Sequence, residues 1–250
     1  MKPYEIIKLC SVYLIKYFGT EHKHLIEDRL DQTDFYLVNQ SNHDDCVKEH
    51  IFNNYKYYGL KCNDSKGKSD LIETVEKIAS PDTPNGGYCV LWTCTDLTTG
   101  KIFEVSRGMF VFDYTDNSYK SKLYGSYSDT IIFHEFCHAV TLFVKNNETY
   151  SGFEGCVNID IFNEYFIETM AIDLSKMMHR DGKTFNEKIP LTHKVYYISR
   201  YGYLKKSMFM LKSYWEKDMK YLKDAIITGE HDKKVHDLAN KLIKRHYKRK

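Results

Sequence analysis

Two histidines four residues apart, inside an otherwise apolar stretch, constrain this chain more than any other feature. The stretch is IIFHEFCHAVTLF, residues 131–143. Four residues are about one helical turn, so a helix here presents the imidazoles of His134 and His138 on one face, spaced to bind one tetrahedral Zn²⁺. Glu135 lies about 100° around the same helix, close enough to reach a metal-bound water without ligating the metal. The flanking Ile131, Ile132, Phe133, Val140, Leu142 and Phe143 embed such a helix in a core, where two histidines and a glutamate are costly unless something binds them. A chain with this His and Glu content is expected to contain roughly 0.03 H-E-x-x-H matches by chance, so the pattern is suggestive and its context must carry the rest.

A catalytic zinc site needs a third protein ligand and an open fourth position. A continuation HExxHxxGxxH is excluded, because positions 141 and 144 are Thr and Val. Downstream lies FNEYFIETMA, residues 162–171, on a helix predicted over 160–180. Glu164 and Glu168 are one turn apart on one face of it, and Ala171 extends that face with a small side chain.

HExxH followed by an N-E-x-x-x-D/E helix resembles the gluzincin branch of zinc metallopeptidases, the group that includes thermolysin. HEFCHAV and EYFIETMA are also similar to the catalytic end of anthrax lethal factor and its relatives. The resemblance covers residues 130–171. It implies a zincin-like α+β fold, with a small twisted sheet over 88–114 packed on the active-site helix, an edge strand lining the cleft and flanking helices. It implies Zn²⁺ as cofactor, with Glu164 as third ligand and Glu168 behind it, holding a ligand histidine as such sites generally require. It implies peptide-bond hydrolysis with Glu135 as general base and a protein or peptide as substrate. A lethal-factor-like site carries a tyrosine seven residues before the glutamate, where this chain has Val157. The residue stabilising the oxyanion therefore stays open among Tyr150, His193, Tyr196, Tyr197 and Tyr201.

SPDTPNGG, residues 80–87, is the strongest punctuation in the chain and divides it into a mostly helical region, 1–80, and a catalytic region, 81–250, if the two are not one continuous domain. Apolar periodicity predicts helices over 4–18, 46–58 and 69–79. Past the break, YCVLWTCT (88–95) and KIFEVS (101–106) read as a hairpin and GMFVFDY (108–114) as a further strand. A helix is expected over 128–145 with Ser128 or Asp129 as N-cap. The 160–180 helix has Ile167, Met170, Ala171, Leu174 and Met178 as its buried stripe and Arg180-Asp181-Gly182 as its close. Helices over 203–227 and 231–248 end the chain.

Charge and cysteine usage narrow the function classes. A formal net charge of +2 points to neither a nucleic-acid nor an acidic partner, so a nucleic acid is not expected as a ligand. The basic end KKVHDLANKLIKRHYKRK reads as a solvated helix face or tail. Seven cysteines without close pairs argue against a disulfide framework and for a reducing compartment. Cys137 reads as core packing, because a residue between the two histidines faces away from their metal. His22, His24, His43 and His50 read as surface. Nothing approaches the ~20 apolar residues of a membrane span. Glu5, Lys8 and Lys16 interrupt any signal-like core at the N-terminus, which reads as an amphipathic helix. The expectation is a metalloprotease acting in a cytoplasm, its own or, on analogy with lethal factor, a host's. Its rivals are hydrolysis of another amide, a zincin fold used only for binding, and a nucleic-acid-binding protein with an incidental HExxH.

Overall fold

A computed structural model describes residues 1–39, 41–61, 87–96, 98–112, 128–153, 160–185, 218 and 220–237. Helix α1, Pro3–Phe18, starts with proline in its first turn, where the missing N–H has no partner to lose. The Glu5 carboxylate returns to the Lys2 amide at 2.7 Å and closes that end. Its stripe Ile6, Cys10, Tyr13, Leu14 and Phe18 is buried, as the periodicity predicts. One 3-10 turn, Thr20–His22, leads into α2, Lys23–Asp31. Strand β1 (Thr33–Val38), helix α3 (His43–Lys61) and strands β2 (Gly87–Thr95) and β3 (Ile102–Phe112) follow. The remaining elements are α4 (Ser128–Thr141), β4 (Leu142–Lys145), β5 (Glu148–Ser151), α5 (Asp160–Arg180) and helical segments α6 over 220–228 and α7 over 233–237. The architecture is α+β.

The three-stranded sheet runs β1-β3-β2, with β1 parallel and β2 antiparallel to β3. Alternation along β3 separates two apolar layers. Met109 and Val111 face the main core with Phe35, α1, α4 and α5, while Phe110 faces Val38, Tyr88 and Trp92 in a smaller cluster under α3. Helix α4 sits between sheet and α5, with Phe133, Phe136, Cys137 and Val140 fully buried. Phe136 packs on Phe35 at 5.4 Å between ring centroids, and Phe133 meets the edge of Tyr13 at 6.2 Å.

A β-bulge re-aims side chains in β3. Trp92 pairs with Ser106 but Thr93 pairs with Glu104, so Val105 is the extra residue. Strict alternation would put Glu104 on the face of Ser106; the bulge turns it to the other. There it accepts from Arg107 Nη2 at 2.8 Å and from the Val144 amide at 2.7 Å, tying β3 to β4.

Several sequence expectations need correction. The first 61 residues are not helical throughout: TDFYLV forms β1, because parallel pairing with β3 uses its alternation, Phe35 and Leu37 to one face, Tyr36 and Val38 to the other. KIFEVS and GMFVFDY are one strand, continuous through Arg107-Gly108. Helix α4 stops at Thr141 rather than 145, because Asn146 and Asn147 adopt φ of 53° and 66° and fold 142–151 into the β4–β5 hairpin. His43 and His50 are buried, at 4% and 0% exposure, because α3 lays them on the sheet. Helix α5 has the expected bounds, and its stripe Ile167, Met170, Ala171, Leu174 and Met178 is fully buried. Gly182, at φ 71°, closes it by donating to the His179 carbonyl at 3.0 Å. The helix expected over 69–79 lies outside the described residues; of those expected over 203–227 and 231–248, residues 220–227 and 233–237 are helical, and 203–217, 219 and 238–248 lie outside the described residues.

Candidate metal centre

Helices α4 and α5 pack side by side and turn their polar residues toward each other. His134 Nε2 and His138 Nε2 stand 3.1 Å apart. The Glu164 carboxylate spans both, Oε2 at 3.3 Å from His134 Nε2 and Oε1 at 3.3 Å from His138 Nε2. Zinc–nitrogen and zinc–oxygen bonds near 2.0–2.1 Å at tetrahedral angles require donors about 3.3 Å apart. The three donors therefore fit three corners of a zinc tetrahedron. His134 Nδ1 meets Glu168 Oε2 at 2.8 Å. Donation from Nδ1 to that carboxylate leaves a lone pair on Nε2, directed at the other two donors. Three lone pairs converging on one point repel unless a cation or a proton sits among them.

Charge follows the geometry. Burial alone would lower the pKa of His134, but the Glu164 and Glu168 hydrogen bonds and the Glu135 charge reverse it, and the imidazole stands well above its ordinary value. Burial likewise disfavours the Glu164 carboxylate, yet its two histidine partners hold it well below the usual range. Glu164 is therefore an anion, as a ligand must be.

Glu135 stands outside this triangle. It is 5% exposed and lies against the start of β2, where a Cβ on Gly87 would come within 2.8 Å of its Cγ. Only glycine lets the strand approach so closely. Burial raises the Glu135 carboxyl, while the positive charge of His134 and His138 partly offsets the rise.

Cys137 points into the core, fully buried, with burial raising its thiol and the Glu135 and Glu168 charges adding to the rise. Tyr150 stacks on Phe143 at 5.3 Å, stands edge-on to His231 and donates from its hydroxyl to Glu148 at 3.2 Å. His193, Tyr196, Tyr197, Tyr201 and Val157 lie outside the described residues. A second cluster, Glu21, His22 and Asp224, also brings three donor groups together, but Glu21 is exposed and faces Lys220 at 3.4 Å.

Three supports of the centre are not legible as functional in the sequence. Asp129, expected as a helix cap, instead accepts from His179 Nε2 at 2.6 Å, Thr184 Oγ1 at 2.6 Å and the Phe185 amide at 3.2 Å, locking the start of α4 to the end of α5. Asn163 Oδ1 accepts from the Phe153 amide at 3.1 Å, and a Cβ on Gly152 would sit 1.9 Å from that oxygen. This contact pins α5 one residue before Glu164. Arg29 donates to the carbonyls of Val140 and Ile227, placing a cation at the C-terminal end of α4. The asparagine of the N-E pair was the one available signal.

Comparison with family models, curated proteins and solved structures finds no match to this chain.

The different placement of the two acids has a measurable consequence. Were zinc held by this triangle, Glu168→Ala would weaken its binding by about 10–100-fold, the usual effect of losing a group that orients a ligand. Glu164→Ala, which removes a donor, is expected to weaken it further. Competition against a chromogenic chelator checks this, and the reverse order would exchange the two roles.

Proposed function

We propose that this protein is a zinc-dependent peptidase of the gluzincin type on a zincin-like fold. The observation that carries the reading is the triangle of His134, His138 and Glu164 donors, with the Glu135 carboxylate beside it and outside it. His134, His138 and Glu164 would hold a zinc ion there, which would supply Lewis-acid activation of a water and of a substrate carbonyl. Glu135 is the base that takes the proton from the attacking water, and it returns that proton to the leaving amine. Its raised pKa makes it a stronger base than an exposed glutamate. Glu168 fixes the His134 ring with Nε2 toward His138 and Glu164. Strand β2 pairs only with β3 among the described residues, and its first residue lies over Glu135. An extended peptide pairing with that strand would bring its backbone to the base.

The substrate is a protein or peptide. No described helix is long and apolar enough to cross a membrane. Cys10, Cys46, Cys89 and Cys137 are all free, which fits action in a reducing cytoplasm, its own or a host's. Digestion of a peptide library by the zinc-loaded full chain tests the reading. Cleavage is expected to stop with a chelator and return with added zinc. Cleavage indifferent to chelation, or none by zinc-loaded protein, would overturn it.

A further inference from the structure

On the sheet face away from the metal centre, a serine, a histidine and an aspartate line up in hydrogen-bonding order. His50 of α3 is fully buried between Trp92, stacked at 4.6 Å, and Gly108, where a Cβ would come within 3.0 Å of its Nε2. Its Nδ1 lies 3.0 Å from Asp34 Oδ2, and its Nε2 lies 3.5 Å from Ser106 Oγ. The Tyr36 hydroxyl also reaches Nδ1, at 3.3 Å. The His50 hydrogen bond holds the Asp34 carboxyl below its ordinary range, so it is an anion at neutral pH. Donation from Nδ1 to that anion leaves Nε2 as the acceptor facing the serine.

The fold delivers these groups through particular devices. Asp34 and Gly108 are register partners across the parallel β1–β3 pair. Gly108 leaves the hollow that the imidazole fills. The bulge at Val105 sets the aim of Ser106, and bulges recur beside active sites. Strand β1 begins opposite Arg107, so Ser106 lies one residue beyond its start and is partly exposed, while the histidine behind it is closed to solvent. A nucleophile open to substrate, a base within reach and an anion fixing the base's tautomer are the relations that define a serine acyl-transfer site. A nucleophile–base contact of 3.5 Å is at the loose end for a site without substrate, where such contacts are commonly long.

We propose that Ser106, His50 and Asp34 form a second nucleophilic site, which accepts acyl groups from small activated carboxylic esters. Ser106 Oγ attacks the ester carbonyl carbon while its proton passes to His50 Nε2. The tetrahedral adduct collapses with cleavage of the bond to the alkoxide, which takes that proton and leaves as the alcohol. Water then attacks the acyl-serine and gives its proton to His50 Nε2; the adduct collapses with cleavage of the bond to Ser106 Oγ, which takes that proton back as the carboxylic acid departs. Trp92 and Tyr36 crowd the histidine, so a small acyl group fits best. This site shares no residue with the metal centre, and its test does not depend on zinc.

The test is labelling of the full chain, in chelator, with a small alkyl fluorophosphonate, read by peptide mass mapping. Ser106 is expected to be the labelled residue, with labelling abolished in Ser106→Ala. Asp34→Asn, at a side chain 54% exposed and hence tolerant of change, is expected to slow labelling by at least tenfold with an unchanged circular dichroism spectrum. Absence of label on Ser106 in the folded wild-type chain would overturn the proposal. Labelling that Asp34→Asn leaves at the wild-type rate would overturn it equally.

Discussion

Glu135→Gln is expected to fold, to keep its zinc and to lose peptide hydrolysis by about 10²–10⁴-fold, the usual contribution of a general base. The carboxylate is outside the donor triangle, so metal affinity should barely change. Its size and its place under Gly87 are kept by glutamine, so packing is preserved. Only the capacity to accept a proton is removed. Burial raises the pKa of Glu135, and a carboxylate with a raised pKa is a stronger base than an exposed one. Turnover of a peptide identified with the wild-type chain, together with zinc content, checks the split. His134→Ala is the contrasting variant and should lose metal and activity together. Wild-type turnover by Glu135→Gln would contradict the mechanism even with zinc in place.

Asp129→Ala is expected to destabilise the chain by about 3 kcal/mol, within the range for removing one partner of a buried polar pair. Asp129 is 2% exposed, and three donors from the far end of α5 and the turn beyond it converge on its carboxylate. Alanine leaves the His179 ring, the Thr184 hydroxyl and the Phe185 amide without that acceptor. In a chain of this size the loss corresponds to a melting temperature lower by roughly 6–12 °C. Both proteins should be measured in chelator, so that metal binding does not add to either stability. A shift under about 1 kcal/mol would mean that the two helices are held together by apolar packing alone. His179→Ala on top of Asp129→Ala should add little, because the pair acts as a unit.

The helical half of the site was readable because it depends on local spacing. Period 3.6 marks α1 and α5, one turn separates His134 from His138 and Glu164 from Glu168, and the structure brings all four together between α4 and α5. What escaped was set by contacts distant in sequence. Residues 33–38 carry no turn signal after α2, and their strand conformation is selected by β3 some seventy residues later. With β1 unseen, the partners of His50 on it, Asp34 and Tyr36, were unseen too, and a buried histidine looked like a surface one. The end of α4 was overrun because the periodic apolar pattern continues through Leu142 and Phe143. Asn146-Asn147 was the available stop signal, a pair that tolerates the left-handed turn a two-residue hairpin requires. The aim of Glu104 toward Arg107 depends on one extra residue in the ladder, which alternation cannot register.

His134, His138 and Glu164 are proposed to hold zinc, and elemental analysis of protein purified without added metal checks whether they do. Close to one zinc per wild-type chain is expected, with most of that metal lost in His134→Ala. Wild-type protein with zinc well below half an equivalent, and no recovery after incubation with Zn²⁺, would contradict it.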